Sequence, residues 1–567
     1  MRMIFLFLVF ISLMPTALLA ESWQMLRQRL DQLQILATPP VDKCGFPAVL
    51  AAFFSGQSEI RHRLQAFSSQ VTLQTYRTFR SPSGHFEIYY QTEGIDAIPT
   101  YNLDGDTIPD YLEFVAGALD RAWAIQVDSL GFRPPPAADG SPRQVYPVYC
   151  QNLAGSRTYG MTLIDQEIPA LPGENYTSHI IISTDFSFVR FPADGGDPIV
   201  RDSLAIAVTA AHEFTHALQL GYHIWNYGDG FNNAVLPDFW FIESSATYME
   251  EVIADTVNDY YQYLPYYLQS LDISLFKIPA SNLEWIRVYG EVLFPMMLGY
   301  VYGPEIVREV WENILDAEAV VALDRVLQER GSSLSQEWFR FASWLYFTGS
   351  RAQPDRFFPE ASQYPEPDLI QTVALDSVQN DRDAFFQSTL PPLAYQFLSV
   401  LVQIPGTYFL TIQFAQKSEA LGGVLFLPEH RIVENFEYVD YPFITEGEFQ
   451  LAAVGGPWSF TMPDSQLAFE LFGGWVPRDE PNAVRIYPAK WTPDHPGRGI
   501  TFLNLPRDAR IEIFTAAGIR IRTIHTMTPV YFWVPQTDSG SPLASGVYIF
   551  RVTAGNFQQL GKFLIVR

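Results

Sequence analysis

The stretch Thr209-Ala210-Ala211-His212-Glu213-Phe214-Thr215-His216-Ala217-Leu218-Gln219 decides the reading of this chain. It continues the apolar run Leu204-Ala205-Ile206-Ala207-Val208, so residues 202–220 read as a buried helix. Asp202 or Ser203 can cap it and Gly221 can end it. On a helix, His212 and His216 are one turn apart, and both imidazoles leave the same face. Two neutral imidazole nitrogens on one face can share a Zn²⁺ ion. Glu213, next to the first histidine, is placed to take a proton from a water. The other reading is a pair of satisfied core histidines. Three polar groups in one buried turn make that expensive, since each unpaired group costs about 1–3 kcal/mol.

A third ligand is needed. The position ten after His212 is Tyr222, and Gln219 stands where a metzincin needs glycine, so that pattern is absent. Trp240-Phe241-Ile242-Glu243-Ser244-Ser245-Ala246-Thr247-Tyr248-Met249-Glu250 supplies the better candidate, Glu243. Pro237 and Asp238 open a second helix there, and Ser244, Ser245 and Ala246 allow close helix packing. Glu250 and Glu251 are rival ligands, while Thr247 and Glu250 are candidates to support the ligands. On these motifs, residues 80–350 resemble the gluzincins, and more closely a family of secreted bacterial zinc metalloproteases. The resemblance implies an α+β zincin-like domain in which His212, His216 and Glu243 hold Zn²⁺. It implies peptide hydrolysis with Glu213 as general base, most simply by an endopeptidase. Tyr289 and His223 are candidates for holding the oxyanion. Substrate would lie along an edge strand, taken as residues 179–183.

Composition sets the frame. The 567 residues are 48% hydrophobic and 15% aromatic, which excludes wholesale disorder. A net charge of −26 argues against a nucleic-acid partner. The 41 prolines favour loops and strand edges over a helical bundle. Residues 1–20 read as a secretory signal, with Arg2 ahead of a short apolar run. Residues 21–80 read as an N-terminal cap or propeptide containing a helix at 22–36. The zincin-like domain covers 81–350, a linker 351–384, a β-sandwich 385–485 and a last β module 486–567. A helix is expected over 306–330 and a second linker over 475–499.

Export permits a disulfide, and Cys44 with Cys150 makes one bridge the default. Two free thiols are a second possibility. A third comes from Asp42-Lys43-Cys44-Gly45-Phe46-Pro47, which resembles the cysteine switch of matrix-metalloprotease propeptides, where a thiolate caps zinc.

Residues 102–113 carry oxygen donors in a calcium-loop spacing: Asn102, Asp104, Asp106, the Ile108 carbonyl, Asp110 and Glu113. They resemble EF-hand and dockerin loops, with Thr107 where glycine is usual, and imply a structural Ca²⁺. The end of the chain, with Asn504-Leu505-Pro506, Ala544-Ser545-Gly546-Val547-Tyr548 and Gly561-Lys562, resembles type IX secretion sorting domains and FlgD-like immunoglobulin folds. That implies a secreted or surface protein of a Gram-negative bacterium, in contact with the outer-membrane secretion machinery. The chain is expected to be a monomer acting on protein or peptide. Rival readings are a zincin fold without turnover and an adhesive or carbohydrate-binding surface protein.

Overall fold

The computed structural model describes residues 43–54, 76–226, 236–277, 279, 282–375, 386–402, 406–414, 421–427, 431–436, 441–444, 447–456, 466–477, 484–487, 489–493, 499–503, 505–528 and 531–567. The expected signal at 1–20 and helix at 22–36 lie outside them. The chain divides into two compact units. The first gathers the chain up to residue 366 except 271–274 and 338–343, and the second gathers those and 367–567.

The first unit is α+β. Its sheet contains β1 (Arg77–Arg80), β2 (Phe86–Tyr90), β3 (Tyr146–Gln151), β4 (Gly160–Glu167) and β5 (Tyr176–Ser183) in the order β1-β2-β3-β5-β4. β2, β3 and β5 run parallel, while β1 and β4 are antiparallel to their neighbours. Every residue of β5 is buried, as a strand covered on both faces must be. Its register sets Ile180 beside Val148 and Ile182 beside Gly160. Residues 179–183 are therefore interior. The edge strands of this sheet are β1 and β4, which corrects the edge expected from sequence.

Four helices frame the site: α1 (Phe46–Phe54), α2 (Asp110–Trp123), α3 (Pro198–Gln219) and α4 (Phe239–Ala254). α3 begins four residues before the expected start. Pro198 takes the first helical position and the Asp197 carboxylate accepts from the Ile199 N–H at 2.8 Å. The chain turns at Gly221, whose N–H reaches the Leu218 carbonyl. α3 packs on α2, α4, β4 and β5. Beyond α2 a π-helical turn, Ala124–Ser129, carries Gln126 under α3, where it accepts from the Thr215 hydroxyl and donates to the Ala211 carbonyl.

The helix expected over 306–330 is two helices, Glu305–Glu312 and Ala319–Glu329. The break is held from outside: Asp238 accepts from the Ala319 N–H at 2.7 Å, and Trp225 donates to the Ile314 carbonyl at 2.7 Å.

From residue 367 onward the described residues of the second unit form only strands, turns and loops. Its first module pairs a sheet ordered β11-β10-β13-β8-β6 with one ordered β12-β9-β14-β7. These strands are β6 (Leu369–Leu375), β7 (Phe386–Leu390), β8 (Ala394–Val402), β9 (Gly406–Phe414), β10 (Leu421–Leu427), β11 (Arg431–Phe436), β12 (Tyr441–Ile444), β13 (Gly447–Gly455) and β14 (Leu467–Pro477). β6 falls inside the stretch read as a linker and pairs with β8. The last module adds β15 (Arg485–Tyr487), β16 (Lys490–Trp491), β17 (Ile500–Leu503), β18 (Ala509–Thr515), β19 (Arg520–Thr526), β20 (Tyr531–Trp533), β21 (Gly546–Ala554) and β22 (Phe557–Ile565). Its sheets run β15-β17-β20 and β16-β22-β21-β18-β19 over a core that includes Phe502, Ile511, Trp533, Phe550 and Phe563. The stretch 475–499 is thus partly strand. Among the described residues, no helix is long and apolar enough to cross a membrane.

The approach of β4 to α3 needs a glycine. A Cβ at Gly160 would sit 2.5 Å from Thr209 Cγ2 and 3.0 Å from Glu213 Cγ. Gly160→Ala should therefore cost about 1–3 kcal/mol in urea unfolding, the usual range for overpacking. An unchanged midpoint would mean that β4 does not hold this distance from α3.

Candidate metal centre

α3 and α4 cross so that four buried side chains face one point. Cys44, His212, His216 and Glu243 offer ligand atoms within 4.8 Å of one another. His212 Nε2 is 3.0 Å from His216 Nε2, Glu243 Oε2 is 3.5 Å from His212 Nε2, and Glu243 Oε1 is 3.5 Å from His216 Nε2. Cys44 Sγ is 3.5 Å from His216 Nε2. Ligands sharing one ion at about 2.0–2.3 Å stand at such separations.

The other ring nitrogens are already committed. His212 Nδ1 lies 2.7 Å from Glu250 Oε1, a carboxylate that only accepts, so Nδ1 donates. His216 Nδ1 lies 2.8 Å from Gln219 Oε1. Gln219 is oriented by its own NH₂, which donates to the Ile242 carbonyl and to Ser245 Oγ. His216 Nδ1 is therefore also a donor. With both rings neutral, both Nε2 lone pairs face the shared point and could hold a metal ion, each backed by a hydrogen bond of the kind that orients metal-binding imidazoles.

Both Glu243 oxygens are buried with no hydrogen-bond partner. Burial raises the pKa of this carboxyl, and Thr247 donates to its backbone carbonyl at 3.0 Å. Burial opposes a charge on His212, yet the Glu243 and Glu250 carboxylates prevail and raise its pKa to about 9. Burial and the neighbouring His212 hold His216 well below its ordinary value, hence neutral. The centre thus draws positive charge. A proton on His212 satisfies one neighbour, whereas a metal ion satisfies both rings, Glu243 and the thiol sulfur together. The donor set of two imidazoles, one carboxylate and one thiol fits zinc.

Glu213 lies beside this point. Burial raises its carboxyl to about 7, and the Thr162 hydroxyl of β4 lies 2.8 Å from Oε2 and 2.9 Å from the Glu213 carbonyl. Glu250 is no ligand, since its Oε2 accepts from Lys43 at 2.7 Å while Oε1 holds His212. Glu251 faces away, in a separate acidic group with Asp255 and Glu360. Tyr289 is at the centre, its ring 6.1 Å from that of His212. His223 is elsewhere, accepting from the Glu174 N–H at 2.8 Å.

Sequence reasoning gave no role to Lys43, Thr162, Gln219 or Asp259. Gln219 was findable, because it lies one turn past His216 on the same face. The other three come from distant parts of the chain. The bridge expected between Cys44 and Cys150 is absent: both are free thiols, Cys44 at the centre and Cys150 buried within β3. Burial raises the Cys150 thiol to about 12.

In the expected calcium loop, Asp104, Asp106 and Glu113 converge within 4.8 Å. Asn102 Oδ1 instead accepts from the Gly105 N–H, and its amide donates to the Asp106 carbonyl and, at 3.4 Å, to that of Ile108. Asp110 is buried and accepts from the Leu103 N–H at 2.7 Å.

No family model matches the chain, and neither does any curated protein. Among solved structures, similarity is found to PorZ, a surface component of the type IX secretion system of Porphyromonas gingivalis, at 22% identity and a TM-score of 0.15. The match covers 18% of this chain and 14% of PorZ. Dimeric latent PorU of the same organism matches at 12% identity and a TM-score of 0.12, over 29% of this chain and 18% of that one. The adhesin domain of Epf from Streptococcus pyogenes matches at 8% identity and 0.12, over 32% and 77%. Likenesses at these TM-scores establish no shared fold.

Gln219→Leu keeps the volume but removes the acceptor for His216 Nδ1. Metal affinity measured by competition with a chromogenic chelator should fall about 10–100-fold, as for other lost partners of ligating histidines, with far-UV circular dichroism unchanged. Undiminished affinity would mean that His216 is not a ligand.

Proposed function

We propose that the chain is a zinc-dependent peptidase built on a zincin-like α+β domain. The observation that supports this best is the convergence of two imidazole Nε2 atoms on the two unpartnered oxygens of buried Glu243, with Glu213 one residue after the first histidine. His212, His216 and Glu243 would hold the ion. When bound, zinc supplies a Lewis acid that polarises a carbonyl and acidifies water. Glu213, steadied at Oε2 by Thr162, takes a proton from the attacking water and returns it to the leaving amine. Glu250 keeps His212 in its Nδ1–H form, and Gln219 does the same for His216. The edge of β4 offers backbone N–H and C=O groups to an extended peptide.

One observation favours a second reading, a metal-binding zincin fold without turnover. Cys44 completes four protein donors, and structural zinc sites are closed in that way. Glu213→Gln decides between them. The variant should retain one zinc per chain and lose hydrolysis of casein by about 10²–10⁴-fold, the usual contribution of a general base. Hydrolysis at the wild-type rate would remove Glu213 from the mechanism. Zinc with no cleavage by the native chain or by Cys44→Ser would favour the second reading.

We further propose that the last module serves sorting to, or anchoring at, a Gram-negative cell surface. The support is its sequence pattern around residues 544–548, which lead into β21, and 561–562, on β22. Deleting residues 484–567 should move the protein out of the surface fraction of its host. Unchanged attachment would contradict the assignment.

A further inference from the structure

We propose that residues 43–54 are a built-in occupant of the peptide-binding edge, with Cys44 as the fourth ligand of the centre, so that the chain is made in a closed form. This rests on the metal-peptidase reading only for what the closure prevents.

The segment docks on β4 through its backbone. The Lys43 carbonyl accepts from the Tyr159 N–H at 2.8 Å and from the Gly160 N–H at 3.3 Å. The Gly45 N–H donates to the Gly160 carbonyl at 2.9 Å, so Cys44 pairs with Gly160 in parallel. These are strand-addition bonds to a sheet edge, the mode by which extended peptides bind. Any peptide reaching the centre along this part of β4 must displace them. The fit is specific at Gly45, where a Cβ would lie 2.7 Å from Met161 Cβ.

The side chains then fill the site. Cys44 Sγ stands 3.5 Å from His216 Nε2 and accepts from the Phe46 N–H at 3.3 Å. The Phe46 ring lies on His216 with centroids 4.2 Å apart. Lys43, 2% exposed, donates to Glu250 Oε2 at 2.7 Å and to Asp259 Oδ2 at 2.5 Å. One lysine therefore neutralises the carboxylate that orients His212 and anchors the segment. α1 is buried along nearly its whole length and sets Phe53 and Phe54 edge-on to Tyr176. Catalytic zinc sites keep one position open for water and substrate. Here the Cys44 sulfur stands beside the centre, and its coordination to an ion would release the thiol proton to solvent.

The test uses the full chain loaded with Co²⁺. Wild type and Cys150→Ser should show a sulfur-to-cobalt charge-transfer band in the near ultraviolet. Cys44→Ser should lose the band while binding one equivalent of metal. Independently of any variant, iodoacetamide followed by peptide mapping should label Cys44 only after chelation. Stoichiometric Co²⁺ with no band, or Cys44 labelled equally with and without metal, would overturn the proposal. Casein hydrolysis separates it from the peptidase reading. Faster cleavage by Cys44→Ser supports both. A band and a shielded Cys44 with no cleavage by any variant support the closure and remove the peptidase.

Discussion

Four buried lone-pair donors are turned toward one point, and the first unit is arranged around that fact. The two imidazole Nε2 atoms, 3.0 Å apart, repel each other unless a proton or a metal ion lies between them. The unpartnered Glu243 carboxylate adds to the demand. Leaving such groups unsatisfied costs about 1–3 kcal/mol each, more for charges, so neighbouring features are tuned to keep them aimed. Gly160 lets β4 come close enough for Thr162 to hold Glu213. Gln219, fixed between Ile242 and Ser245, locks His216 and ties α3 to α4.

The charge of the whole chain looks different from this centre. Glu213, Glu243, Glu250 and Asp259 are all buried within one cluster, and Lys43 bridges two of them. Buried carboxylates survive when a cation answers them, and removing one partner of a buried pair typically costs about 3–5 kcal/mol. The N-terminal segment supplies the lysine, and a metal ion would supply the remainder. In the proposed closed form, residues 43 and 44 would link latency to the stability of the centre, because the segment that would block the site also neutralises it.

Much of this was legible in sequence, for local reasons. Helical periodicity put His212, Glu213 and His216 on one turn, and small residues beside Glu243 marked a close helix crossing. The β-rich stretches 85–90, 142–150 and 177–184 read as strands, and the strands run over 86–90, 146–151 and 176–183. What failed was long-range. Sheet order depends on pairing partners far apart in the chain, so the edges fall on β1 and β4 and not on residues 179–183. The bridge between Cys44 and Cys150 was inferred from a count, whereas contacts place one thiol beside His216 and the other inside β3. Asp259 could not be found because it meets Lys43 across 216 residues of sequence.

The central claim is that this cluster exists to hold a metal ion. Elemental analysis of the full chain, purified without chelators, tests it most directly. The account predicts one zinc per chain, lost in the double variant His212→Ala/His216→Ala whose far-UV spectrum stays native-like. A well-folded native chain that carries no metal and takes up none on dialysis against zinc would contradict it.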